Sequence, residues 1–366
     1  MTTVGTTADD TEPAIDEEKA GAFAEQLFGH YTAAFVTSMI DLGFRTGLFD
    51  AASQGPATSA ELATRAGLHE RYVREWLGAV TTAGVFHYDP STSTYTLPPE
   101  HAVCLAGESE MNIAPVSMLS GLLAKYIVPV AQAFRDGGGV PYWAYRPEFT
   151  DVMDAANRRV FDGVLVDGIV PLAAGLAERL AQGIRVADIG CGTGHSTNVL
   201  ARAFPASTFE GYDLAEDAVD RGRAEAADYG LTNTMFEVLD VAQLPAAPPF
   251  GAAFAFDAIH DQHDPAGVLA RVFDALMPGG VFVALDINAS SHLENNIGDP
   301  LAPFLYGIST LHCMTVSLAT GGAGLGTVWG QELARQMLAD AGFVDVEVHD
   351  APGDPTACIY IARKPA

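Results

Sequence analysis

Hydrophobic positions recur along the chain in two textures, and the change from one to the other falls near residue 182. From about 23 to 105 the spacing is helical, and Phe35, Met39 and Leu42 give the first apolar stripe. Thr58-Ser59-Ala60-Glu61 is a capping-box signature that opens a short helix over 59–66, stopped by Gly67. Val73, Trp76, Leu77 and Val80 share one face of the next helix, which ends near Gly84. The alternating stretch 85–97, broken at Asp89-Pro90-Ser91, predicts a hairpin. Residues 107–180 read as mainly helical: a break at Gly137-Gly138-Gly139, the aromatic cluster Tyr142, Trp143, Tyr145 and Phe149, then a long helix over 148–180 interrupted at Pro171. The most apolar run, 118–134, is broken by Lys125 and Pro129 and is too short to span a bilayer.

Beyond Gln182 short apolar runs alternate with amphipathic helices, the pattern of a parallel sheet covered on both faces. Strands are expected over 185–189, 208–212, 235–239, 252–256, 281–286, 345–349 and 358–362. The clearest helix covers 265–277: Asp264 caps it, Pro265 suits its first turn, Val268, Leu269, Val272, Phe273 and Leu276 form its face, and Gly279-Gly280 stops it. The order helix, helix, helix, hairpin before this sheet is that of a winged helix, which often reads DNA through its third helix. Charge argues against that use. Between Ala33 and Ala106, Arg45, Arg65, Arg71 and Arg74 face seven acids, Asp41, Asp50, Glu61, Glu70, Glu75, Asp89 and Glu100, for a net of −3.

The 366 residues carry 19 Lys+Arg against 46 Asp+Glu, a formal charge of −27, so nucleic acid is not an expected partner. Residues 1–20 are acidic and Thr-rich without a basic or apolar leader, which predicts a flexible tail and a cytoplasmic protein. Cys104, Cys191, Cys313 and Cys358 are far apart and form no CxxC pair, as expected of a reducing compartment.

The most specific chemistry lies at Asp188-Ile189-Gly190-Cys191-Gly192-Thr193-Gly194, between the first strand of the sheet and a helix starting near His195. Glycines at such a turn let backbone approach a ligand and leave the helix N–H groups facing the crevice. Asp213 ends the second strand 23 residues after Gly190, the spacing at which a carboxylate accepts ribose hydroxyls, and Asp240 ends the third. His195 occupies the position where a dinucleotide site wants a small residue, there is no P-loop, and no lysine lies between Lys125 and Lys364. A nucleoside cofactor without phosphate, and with positive charge, fits this crevice.

With these residues in view, the stretch from about 181 to 363 resembles the class I S-adenosylmethionine-dependent methyltransferases. The preceding winged helix and bridge, with Phe256-Asp257-Ala258-Ile259-His260-Asp261-Gln262-His263-Asp264-Pro265, are similar to bacterial relatives of small-molecule O-methyltransferases. The resemblance implies an α/β fold, a Rossmann-like seven-stranded sheet behind an α-helical winged-helix domain. Its organisation would be a tail over 1–20, a winged-helix dimerisation domain over 21–106, a helical bridge or cap over 107–180, and a cofactor-binding domain over 181–366 with a cap insertion over 288–329. It further implies that Asp188, Gly190, Gly192 and Gly194 hold the methionine portion, Asp213 the ribose, and Asp240 with Val241 the adenine edge, with Leu214 against the ring. Phe256 and Asp257 would lie beside the sulfonium.

His260, followed by Asp261, matches the position of the catalytic histidine of plant-type O-methyltransferases, although Gln262 stands where those enzymes commonly have tryptophan. A histidine there also serves cofactor packing, and both roles stay open. His260 and His263 with His292 or His312 lack a carboxylate in ligand spacing, so no metal is expected. Tyr306, His312, Cys313, Met314 and Trp329 in the insertion are candidates to line an acceptor pocket, with Gly321, Gly322, Gly324 and Gly326 as a hinge. The expected reaction is methyl transfer from S-adenosyl-L-methionine, leaving S-adenosyl-L-homocysteine, to an oxygen of a small-molecule or peptide-derived acceptor in specialised metabolism, by a homodimer. The alternatives are N- or C-methylation, another reaction on the same fold, or a ligand-sensing winged-helix regulator.

Overall fold

The computed structural model describes residues 15–109 and 111–366. Most of the expected tail therefore lies outside the described residues. Where it is described, the sequence expectation is corrected: α1 (Glu17–Arg45) already starts at Glu17, because the Asp16 carboxylate accepts the Lys19 amide at 3.2 Å and Glu17 and Glu18 complement the helix dipole. The chain forms two compact units, the first ending at Pro98 and the second running from Pro99 to Ala366.

In the first unit α2 (Leu48–Ala52), α3 (Ser59–Ala66) and α4 (Glu70–Thr82) lead into an antiparallel hairpin of β1 (His87–Asp89) and β2 (Thr94–Thr96). The Thr58/Glu61 capping box is formed as expected. Phe49, Trp76 and Phe86 make an aromatic core, and the Trp76 indole N–H donates to the Met39 carbonyl at 2.8 Å. Gly43 permits this approach, since a Cβ there would come within 2.5 Å of the Phe49 ring. Of the apolar stripe, Phe35 and Leu42 are 72% and 48% exposed, and α1 approaches the core through Met39 and Gly43.

The second unit opens with α5 (Pro99–Leu105), α6 (Ser117–Ala124), α7 (Ile127–Asp136), α8 (Glu148–Val164) and α9 (Leu176–Gln182). Among the described residues no single helix is long and apolar enough to cross a membrane, and α6 and α7 are bent by 55°. Pro129 does not cause that break; it sits in the first turn of α7, where a missing N–H is harmless. The long helix expected over 148–180 is broken earlier than Pro171. Leu165–Ile169 form a π turn and Val170–Leu172 a 3-10 turn, because the Pro171 ring displaces the carbonyl four residues before it, at Asp167.

β3 (Arg185–Ile189), α10 (His195–Ala203), β4 (Thr208–Asp213), α11 (Glu216–Asp228), β5 (Thr234–Val238), β6 (Phe250–Phe256), α12 (Pro265–Ala275) and β7 (Leu276–Ile287) build the parallel part of the sheet. Then come α13 (Leu293–Asn296), α14 (Ala302–Ile308), α15 (Met314–Ala319), α16 (Gly330–Asp340), β8 (Val344–Asp350) and β9 (Ala357–Arg363). The strand order is β5-β4-β3-β6-β7-β9-β8, with β9 antiparallel to both neighbours. All seven expected strands are present. α12 is shorter than expected: it ends at Ala275, Leu276 already pairs with Phe250, and Gly279-Gly280 lie inside β7. Lys364 closes that helix end by donating to the Phe273 and Leu276 carbonyls at 2.7 and 2.8 Å.

Candidate active site

The carboxyl ends of β3, β4, β6 and β7 converge where the strand order changes direction between β3 and β6, the place where open α/β sheets bind ligands. In the glycine turn after β3 the three residues have different tasks. A Cβ on Gly190 (φ +67°) would lie 2.6 Å from the Ala258 side chain, and one on Gly194 (φ +70°) 2.3 Å from the Phe236 ring. Only Gly192 (φ +54°) has open space before it. Asp188 is buried beneath the turn, and its Oδ2 accepts the Ser196 and Thr197 hydroxyls at 2.8 and 2.6 Å, which fixes the first turn of α10. Burial pushes its pKa up to about 6.

Asp213 Oδ2 accepts the Gly192 amide and Oδ1 the Ala215 amide, each at 2.9 Å. Burial raises its pKa, and those two amides oppose the rise. Leu214 beside it is exposed, as a surface for a planar ring requires. Asp240 stands two residues beyond β5 instead of ending it, and caps a 3-10 turn (Val241–Gln243) through the Ala242 amide at 3.0 Å. The Val241 side chain is buried, so its backbone is what reaches the crevice edge.

Sequence reasoning did not foresee how the bridge enters this site. The Thr193 hydroxyl of the glycine turn donates to Asp154 of α8 at 2.7 Å, and Asp154 also accepts from Arg158 at 2.8 Å and Arg221 at 3.1 Å. Arg158 pairs with Glu225, and buried His195 bonds Glu225 at 3.0 Å and Asp162 at 3.1 Å. Burial opposes the Glu225 charge, but His195, Asn198 and Arg158 outweigh it and hold the pKa down to about 2. Tyr142 lies near enough to Asp213 and Asp261 to feel both; burial first and then these acids push its pKa up to about 12.

His260 is buried, and its Nδ1 lies 2.8 Å from Asp286 Oδ1 near the end of β7. The same oxygen accepts the Trp329 indole N–H at 3.1 Å and the Ile287 amide at 2.8 Å. Burial opposes the imidazolium, yet Asp286 and Cys313 outweigh it and lift His260 well above the usual histidine range. Burial pushes Asp261 up to about 6 and Asp257 up to about 7. The Asp257 backbone is left-handed (φ +52°), and its Oδ1 is buried without a partner. Phe256 packs on Phe254 and Phe161. Asp286 was missed because it is a single acid in an apolar strand; that isolation was itself the available signal.

The cap insertion brings some expected pocket residues to this cluster and not others. Cys313 lies against His260, Trp329 reaches it through their shared partner Asp286, and His312 is buried beside them. Tyr306 instead accepts from Asn296 at 3.3 Å, and Met314 is half-buried at the start of α15. His263 bonds Thr320 at 3.0 Å, away from the His260–Asp286 pair. The glycine run expected as a hinge is fastened: the Ala323 amide donates to the His263 carbonyl at 2.9 Å and the Gly326 amide to that of His260 at 3.2 Å.

The donor set fits S-adenosylmethionine. Gly192 leaves room for backbone approach, Asp213 presents a carboxylate next to the exposed apolar side chain of Leu214, and Asp257, whose Oδ1 has no partner among the described residues, suits a positive charge. Comparison with known proteins agrees. Residues 34–107 match a family described as an Rv2258c-like winged HTH domain, and 180–342 a methyltransferase domain. The chain is 30% identical over 169 residues to the ubiquinone/menaquinone biosynthesis C-methyltransferase UbiE of Desulfotalea psychrophila, covering 44% of this chain and 66% of that one. The chain spans about a third to two thirds of the length of the curated relatives it matches. Human N-acetylserotonin methyltransferase, solved with SAM, superposes with a TM-score of 0.69 at 18% identity over 99% of this chain and 100% of that one. An O-methyltransferase family protein from Burkholderia thailandensis gives 0.67 at 17% identity over 97% and 99%. With a seven-stranded sheet, a glycine turn facing Asp213 and these two matched domains, the chain belongs to the S-adenosylmethionine-dependent methyltransferases that carry an N-terminal winged helix.

Proposed function

We propose that this protein methylates an oxygen nucleophile of a small-molecule or peptide-derived acceptor, with His260 as the general base. The observation that carries this reading is the His260–Asp286 bond. The Asp286 carboxylate beside Nδ1 fixes the ring and stabilises the imidazolium that forms when a hydroxyl gives up its proton; it also raises the His260 pKa, so the ring acts as a base only on the alkaline side, where Nε2 carries its lone pair. When bound, S-adenosylmethionine supplies a methyl carbon already activated by positive sulfur. Gly192, Asp213, Leu214, Asp240 and the Val241 backbone are the groups to hold it, with Asp188, Gly190 and Gly194 shaping the turn. Phe256 and Asp257 border the reacting end, and Cys313 and Trp329 shield His260 from water. The B. thailandensis neighbour's name, an O-methyltransferase family protein, supports oxygen as the acceptor atom.

The test is His260→Ala. Turnover falls ~10²-fold or more while cofactor affinity by calorimetry stays near wild type. Unchanged turnover overturns the base and favours N- or C-methylation. The first unit serves pairing of two copies: Phe28, Tyr31 and Phe35 leave an apolar face exposed on α1. The acidic charge supports a chain without nucleic-acid partners, and a gel shift at low salt should show no retardation.

A further inference from the structure

His312 sits in a five-residue π turn (Ser309–Cys313) between α14 and α15. Such a turn inserts one residue into a helix and redirects the side chains there. The imidazole is wholly buried, and neither Nδ1 nor Nε2 has a hydrogen-bond partner among the described residues. Its plane is fixed from several sides: Phe149 stacks on it at 3.6 Å and 11°, and Tyr145 and Tyr142 present edges at 4.7 and 6.2 Å. Burial, with His260 adding to it, pushes its pKa down to about 3, so the ring is neutral and offers one donor and one acceptor. The next residue, Cys313, lies beside His260 and helps raise its pKa.

A buried polar ring with both nitrogens unpaired is costly to the free protein, and phenylalanine would fill the same aromatic slot without that cost. We propose that His312 is a specificity-determining residue that hydrogen-bonds a second polar group of the acceptor, a hydroxyl or carbonyl adjacent to the hydroxyl that faces His260. The inference rests on the acceptor reading of this cluster given above, and it narrows the substrate class to planar molecules with two neighbouring oxygen functions. The partner is the acceptor and not the cofactor, because His312 comes from the cap insertion, whereas the cofactor groups named above all come from the turns at the ends of β3, β4, β5 and β6.

The experiment uses the full chain saturated with S-adenosylhomocysteine and two probes, 2,3-dihydroxynaphthalene and 2-hydroxynaphthalene, titrated by calorimetry. Wild type binds the first about ten-fold more tightly or better, because losing a partner for a buried polar group is penalised. His312→Phe abolishes that preference, keeps S-adenosylhomocysteine affinity, and melts at or above the wild-type temperature. His312→Gln retains part of the preference. No preference in wild type, or a His312→Phe protein that melts lower with its preference intact, overturns the proposal. The two readings separate cleanly. A His312-dependent preference together with unchanged turnover in His260→Ala upholds the inference and removes the base mechanism, whereas loss of turnover in His260→Ala with the preference unchanged in His312→Phe removes the inference alone.

Discussion

Replacing Asp257 by asparagine isolates the electrostatic character of the crevice. Burial, helped by the Asp286 charge and opposed by His260, raises this carboxyl from 3.8 to about 7. The folded protein therefore keeps a proton that the unfolded chain releases, and the stability this contributes is complete below the unfolded value and lost as pH rises through about 7. A shift of about three units costs on the order of 4 kcal/mol at pH 8, and at pH 5 less than half of that. Asparagine keeps the shape, tolerates the left-handed backbone at φ +52°, and cannot ionise. Urea unfolding at both pH values should show Asp257→Asn gaining roughly 2–4 kcal/mol at pH 8 and clearly less at pH 5. Calorimetry at pH 8 should show weaker binding of cationic S-adenosylmethionine, with neutral-sulfur S-adenosylhomocysteine little affected. A variant less stable than wild type at pH 8, or one with the same pH slope, refutes the buried-charge argument.

Removing the orienting acid in Asp286→Asn should lower turnover ~10²-fold and move the alkaline-rising limb of the pH–rate profile to lower pH, because His260 then loses the partner that keeps it protonated; an unmoved limb contradicts the pairing. Asp213→Ala should weaken S-adenosylmethionine by roughly 30-fold or more in a binding isotherm and also lower the melting temperature, since the side chain holds the Gly192 and Ala215 amides. Gly194→Ala should cost about 2–4 kcal/mol in denaturant unfolding, from positive φ and from a Cβ 2.3 Å from Phe236. Gly192→Ala, with open space before it, should instead spare most of the stability and weaken cofactor binding.

What could be read in the sequence was local. The Thr58 capping box, the glycine turn and Asp213 each act through neighbours a few residues away or through one adjacent strand, so spacing reveals them. The seven strands followed from the alternation of runs, but their ends did not. Leu276 belongs to a helical face by periodicity and to β7 by pairing, and only the register against Phe250 decides. Asp286 meets His260 across 26 positions because β7 lies beside β6, which no local pattern encodes. The Asp154–Arg158–His195–Glu225 network is still less visible, as its members lie on α8, α10 and α11. Pro171 did mark a break, and the error in placing it came from looking at the proline instead of the carbonyl it displaces.

α8 touches both compartments of the site. Near its start Phe149 lies flat on His312, and five residues further on, four before Arg158, Asp154 grips the hydroxyl of Thr193. Its 17 residues make a rod about 25 Å long, too stiff to adjust at one place and stay put at the other. If the acceptor binds against His312 as proposed, occupancy of the glycine turn is felt there through this helix, and reciprocity demands an equal effect in return. Such coupling favours a compulsory order of arrival, nucleoside first, and makes trapping of the demethylated by-product by a bound acceptor a natural brake on the cycle.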